Sequence, residues 1–106
     1  MQHLSPLELN TLLKTNDKPI YLLDVREQHE FDFCHIENSY LMPMQTVPSK
    51  MAELPKDKTI VVICHHGMRS QQVANFLIQK DFNNIANLDG GVAAWANQVN
   101  ADMPQY

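Results

Sequence analysis

One stretch constrains this chain more than any other, because it runs a buried strand straight into a reactive side chain. Residues 59–70 read Thr-Ile-Val-Val-Ile-Cys-His-His-Gly-Met-Arg-Ser. The β-branched run predicts a strand over Thr59–Ile63, and after a short glycine-containing loop the pattern predicts a helix from about Arg69 to Lys80. This arrangement places Cys64 at the carboxyl end of the strand, ringed by the backbone N–H groups of a helix N-terminus, which attract anions. A free thiol is only a few per cent ionised at neutral pH, and the positive end of a helix and the guanidinium of Arg69 both favour the thiolate. Gly67 lets the loop curl tightly. Cys64 is therefore the candidate nucleophile, with His65, His66, Gly67, Met68 and Arg69 as candidate anion-binding residues and Ser70 in support. A small buried thiol closing a core strand is the plainer reading, but it leaves the glycine and arginine at these spacings without a purpose.

The remaining pattern supplies the frame. Ser5 as N-cap, Pro6 at the first helical position and Glu8 as the capping-box partner open a helix; Leu9, Leu12 and Leu13 give its apolar stripe and Asn16-Asp17 its end. Ile20–Leu23 is an apolar run of strand length leading into Asp24-Val25-Arg26. A short helix is expected over Glu27–Phe31, a short strand near Tyr40–Met42 and another short helix over Ser49–Leu54. In the helix after the cysteine loop, Val73, Ala74, Leu77 and Ile78 form the predicted buried face. Ile85–Leu88 is a further strand, and Val92, Trp95, Ala96 and Val99 share one side of a last helix after the tight turn at Gly90-Gly91. Strands alternating with helices imply an α/β fold with a parallel sheet covered on both faces. Ligands bind outside the carboxyl ends of such strands, where both Asp24 and Cys64 fall.

Composition sets outer limits. A chain of 106 residues, 44% hydrophobic and 19% charged, has material for one globular domain spanning 1–106 and one core. A net charge of −4 argues against nucleic acid as a partner and leaves attraction for an anionic substrate to the local pocket. No apolar run approaches the ~20 residues of a membrane span, and the first residues lack the features of a signal peptide. The expectation is no membrane association and a cytoplasmic setting in which Cys34 and Cys64 stay reduced, with Cys34 a packing thiol. Adjacent Cys64, His65 and His66 do not suit one metal, and no cofactor is expected.

Three segments in order resemble the rhodanese family of sulfurtransferases. Leu23-Asp24-Val25-Arg26-Glu27, continuing to Glu30-Phe31 and His35-Ile36, matches the family's early signature. Cys64–Ser70 matches its active-site loop, and Asn87–Trp95 its late glycine-glycine and tryptophan signature. The chain departs from the family at Cys34, where glycine is usual, and at Glu37-Asn38, which replaces a common Pro-Gly turn.

The resemblance implies a rhodanese-like, mostly parallel five-stranded sheet flanked by helices on both faces. It also implies that Cys64 takes a sulfane sulfur from thiosulfate or a persulfide donor, becomes a persulfide, and passes the sulfur to cyanide or a thiol. The partners implied are a small anionic donor and a thiol acceptor, either a small molecule or a thioredoxin-like or other protein. Four residues separate Cys64 from Arg69, whereas related tyrosine-phosphatase-like domains carry five, a wider loop for phosphate. The runner-up reading is a rhodanese-scaffold interaction or sulfur-carrier module with little turnover. Three matters stay open at this stage: whether the His65 and His66 side chains take part, whether Cys34 resolves the Cys64 persulfide as a disulfide partner instead of only packing, and whether Asp24 and Arg26 support the active loop or form a structural ion pair.

Overall fold

The computed structural model describes residues 1–15 and 18–106. Its elements run β1 (Gln2–Leu4), α1 (Pro6–Thr15), β2 (Ile20–Asp24), α2 (Gln28–Phe33), β3 (Ser39–Leu41), α3 (Val47–Lys50), β4 (Thr59–Ile63), α4 (Met68–Gln79), β5 (Ile85–Leu88) and α5 (Gly91–Gln98). Single 3-10 turns at Met44–Thr46 and Met51–Glu53 flank α3. The five strands form one sheet in the order β1-β5-β4-β2-β3, and all four pairings are parallel. The expected α/β architecture is therefore present, and among the described residues the sheet is wholly parallel.

Alternation along the buried strands divides the core in two. Leu22, Val61, Ile63, Ala86 and Leu88 pack beneath α1 and α5 with Leu9, Val92, Trp95 and Ala96. Leu23, Ile60, Val62, Cys64 and Ile85 face the other way, onto Val73, Ala74 and Leu77 of α4 and Val47 of α3. Successive residues of a strand point to opposite faces, so every one of these apolar side chains finds a helix to bury it. Cys34 belongs to the first cluster and Cys64 to the second, so the sheet lies between their packing environments, and both thiols are free.

Several local expectations are corrected. β1 was not legible as a strand: it has three residues, two of them exposed, and is held by pairing Gln2, His3 and Leu4 with Ala86, Asn87 and Leu88. Leu12 and Ile78 are exposed rather than buried, because α1 and α4 each lay only a narrow stripe on the sheet. The helical stretch before Pro55 begins earlier than Ser49, at Met44, with Pro48 in the first turn of α3, where its missing N–H costs nothing. α2 runs from Gln28 to Phe33, with Glu27 and Glu30 forming its capping box. The Ser5/Glu8 box of α1 is formed as expected, while the end assigned to Asn16-Asp17 lies outside the described residues. At the departure from the family's Pro-Gly turn, Asn38 takes the left-handed conformation at φ 68°, and the Ser39 N–H and hydroxyl both donate to Ile36 O. Asparagine is among the few residues that substitute for glycine there.

Candidate active site

β2 and β4 end level, with Asp24 paired to Ile63, and the Val25 N–H donates to Ile63 O at 2.9 Å. The direction of the connections reverses across this parallel pair: the link from β2 leads outward to β3, the link from β4 outward to β5. That makes the β2/β4 boundary the topological switch point where open α/β sheets bind ligands. Cys64 stands there, 1% exposed.

The loop is held open around its sulfur from outside. Val92 and Ala93, at the start of α5, donate their N–H groups to Cys64 O at 2.9 Å and His65 O at 3.1 Å. With these carbonyls drawn outward, loop N–H groups turn inward: Gly67 N–H donates to Cys64 Sγ at 3.1 Å and Ser70 N–H at 3.3 Å. Gly67 caps α4 at φ 101°. Gly91 sits at φ 59°, and a Cβ there would overlap the carbonyl oxygens of Cys64 and His65. The glycine-glycine turn thus has a second purpose beyond the strand-to-helix reversal, since only a bare backbone lets α5 approach the loop so closely.

The other candidate residues fall into three groups. His65 is half-buried, Met68 and His66 are exposed, and Gly67 and Ser70 are buried. The Ser70 hydroxyl lies 3.3 Å from Cys64 Sγ and donates to Asn87 Oδ1. Arg69 turns to Glu30 rather than to the sulfur, in a two-pronged ion pair of 2.8 and 3.0 Å that moors α2 to the loop. The Arg69 hydrogen bonds hold the Glu30 carboxyl well below the usual carboxylate range, and Glu30 in turn raises Arg69. Asp24 and Arg26, both fully buried, form a bidentate pair with bonds of 2.9 and 2.7 Å. Arg26 also donates to Cys34 O, Glu30 O and the Tyr106 hydroxyl, so the pair braces the 26–34 segment, and its hydrogen bonds do not reach residues 64–70. Burial alone would lower the Arg26 pKa; Asp24 and Tyr106 outweigh it and raise it.

Three neighbours were not singled out as site residues from the sequence. Tyr106 stacks on His65 with centroids 3.8 Å apart, accepts from Arg26 Nη1 and donates to Glu30 Oε2, each at 2.8 Å. Burial and the Glu30 carboxylate push its phenol up to about 12 against the pull of Arg26. Burial and the adjacent His66 move His65 the other way, below the ordinary histidine value. Glu30 carries four hydrogen bonds, a load that its place in a short surface helix does not announce. Asn87 is 2% exposed. A polar residue inside the otherwise apolar run Ile85–Leu88 was the available signal for it, because an uncompensated amide in a buried strand is costly.

Comparison with known proteins places this site in a family. The model of the rhodanese-like domain matches residues 5–98, which contain all of β2 to α5 and the whole cysteine loop. The chain belongs to the rhodanese-like domain family. Thiosulfate sulfurtransferase GlpE of Shewanella oneidensis is 29% identical over 102 residues, covering 95% of this chain and all of GlpE. Putative sulfurtransferase YtwF of Bacillus subtilis is 39% identical over 83 residues, 78% of this chain and 80% of its own. Probable adenylyltransferase/sulfurtransferase MoeZ of Mycobacterium tuberculosis is 35% identical over 97% of this chain, which spans only 26% of MoeZ. Among solved structures, a rhodanese-related protein from Thermoplasma volcanium superposes with a TM-score of 0.85 at 32% identity, covering 93% of this chain and 94% of that one. The chain is thus a sulfurtransferase-like rhodanese domain, with its cysteine loop at the carboxyl edge of the sheet.

Proposed function

We propose that this chain is a sulfurtransferase that works through a persulfide on Cys64. After its proton leaves to solvent, the Cys64 thiolate attacks the outer sulfur of thiosulfate. The bond between that sulfur and the sulfonate breaks, and sulfite leaves with the electron pair. Cys64 then carries the sulfur as Cys–S–S⁻. Cyanide or a thiolate attacks the outer sulfur next, departing as thiocyanate or as a new persulfide and returning Cys64 to the thiolate. A persulfide donor follows the same course with a thiolate leaving in place of sulfite. No cofactor enters these steps.

The observation that carries this reading is the pair of backbone N–H groups, from Gly67 and Ser70, already directed at Cys64 Sγ. Such donors stabilise anionic sulfur without having to reorganise. At 1% exposure, Cys64 favours a slim donor such as the terminal sulfur of thiosulfate. Arg69 contributes positive charge near the sulfur while remaining tied to Glu30. The acceptor is a thiol, on a small molecule or a protein, and the compartment we assign is the cytoplasm, where such thiols stay reduced.

Thiosulfate:cyanide transfer by the wild type and by Cys64→Ser tests the proposal. Activity in the wild type and none in a folded Cys64→Ser variant is expected. Transfer retained by that variant overturns the role of Cys64.

A further inference from the structure

We propose that Asn87 is a positioning residue for the sulfur: it holds the Ser70 hydroxyl proton away from Cys64 in the thiol state and releases it to the sulfur when the sulfur becomes anionic. This rests on the reading of Cys64 as the nucleophile.

The hydrogen bonds around Asn87 leave little choice of direction. Strand alternation puts Asn87 on the α4 side of the sheet, since its neighbours Ala86 and Leu88 both pack on the α1/α5 side. Its amide nitrogen faces two acceptors, Gly67 O at 3.3 Å and Asp89 Oδ1 at 3.1 Å. Nδ2 therefore occupies that side, and Oδ1 is the atom that meets the Ser70 hydroxyl. A hydroxyl has one proton, and here Asn87 takes it. What Ser70 Oγ offers Cys64 Sγ, 3.3 Å away, is a lone pair. That suits a thiol, which donates S–H to Oγ. It does not suit a thiolate, which needs donors.

Ionisation of Cys64 thus confronts the sulfur with an oxygen lone pair until the hydroxyl turns. When it turns, the sulfur gains a third donor beside the Gly67 and Ser70 N–H groups, and Asn87 Oδ1 loses its own. Asp89 strengthens the hold on the proton by polarising the Asn87 amide, and is itself bonded to His3 Nδ1 at 2.8 Å. Asn87 so tunes the sulfur's reactivity without touching it.

Alkylation by iodoacetamide across a pH series tests this, using wild type, Asn87→Leu, Ser70→Ala and the double variant. The surrounding charges stay the same in all four: Arg69 with Glu30, Arg26 with Asp24, Asp89 with His3, and the His65 ring. Leucine cannot accept the proton. Asn87→Leu is therefore expected to move the alkylation profile to lower pH and to raise the rate at pH 7 about fivefold, the worth of one net hydrogen bond. In the Ser70→Ala background the same substitution is expected to change nothing. An unmoved or upward profile, or an equal shift in the Ser70→Ala background, overturns the proposal. If Asn87→Leu does not fold, the wild type suffices: the Asn87 side-chain carbonyl carbon signal in NMR is expected to titrate with the thiol, and a constant signal overturns it. Neither readout needs a sulfur donor, so failure of sulfur transfer and failure of this inference remain distinct.

Discussion

Replacing Glu30 by glutamine puts the coupling of α2 to the cysteine loop to a quantitative test. Glu30 Oε1 accepts from Arg69 Nη1 and the Glu27 N–H, and Oε2 accepts from Arg69 Nη2 and the Tyr106 hydroxyl. A glutamine amide has one oxygen, so whichever way it turns, two of these donors meet an NH2 group, and the charge is lost as well. Hydrogen bonds to a charged group contribute about 1.5–3 kcal/mol each when well buried. The Glu30 side chain is 11% exposed but its partner Arg69 is 37% exposed, so solvent screens the pair. We therefore expect Glu30→Gln to cost about 2 kcal/mol, seen as a melting temperature about 8 °C lower. Urea unfolding of Glu30→Gln, Arg69→Met and the double variant measures it, with an expected coupling of about 1 kcal/mol between the two sites. The pH dependence has a defined sign. Because the folded carboxyl titrates below its unfolded value of about 4.3, its contribution is fully present above that pH and lost as the pH falls below it. The gap between wild type and Glu30→Gln should therefore close in acid. A loss below about 0.5 kcal/mol at pH 7 with no coupling, the behaviour of an ordinary surface pair, would refute the reasoning.

Other predictions concern the loop and its neighbours. Gly91→Ala forces a Cβ into the Cys64 and His65 carbonyls at positive φ, so thermal melts should show a loss of about 2–4 kcal/mol and sulfur transfer should fall with it; a neutral substitution contradicts the close approach. Tyr106→Phe leaves Arg26 Nη1 short of an acceptor and should cost about 1–2 kcal/mol in urea unfolding, whereas an unchanged midpoint denies the hydroxyl its bridging place. His65, lowered by burial and by His66, should titrate in NMR below the ordinary histidine value of about 6.5. Its unfolded form takes up the proton first, so stability should decline as the pH falls through that value; a titration above it contradicts the stacked, neutral ring.

The parts of the fold readable from sequence were those with one dominant cause. An unbroken apolar run such as Ile60–Ile63 has no stable place but a strand buried on both faces, and Ser5, Pro6 and Glu8 carry a complete helix start. β1 escaped because Gln2 and His3 are polar and its stability comes from pairing with β5, whose partner residues lie 84 positions away in the chain. Leu12 and Ile78 satisfy the helical period yet face solvent, since period alone does not say how wide a stripe the sheet can cover. At the site, Cys64, Gly67 and Arg69 announced themselves by spacing. Glu30, Tyr106 and Asn87 did not: each acts through partners 17 to 80 residues away. Arg69 was expected beside the anion, and only the position of Glu30 explains why its guanidinium points elsewhere.

Intact-mass spectrometry after incubation with thiosulfate, run without reductant and followed by peptide mapping, tests the central claim most directly. The account predicts a single added sulfur on the peptide containing Cys64, removed by cyanide or a thiol and absent in Cys64→Ser. A wild-type protein that gains no sulfur from thiosulfate or from a persulfide donor, or that gains it on Cys34, would contradict the account.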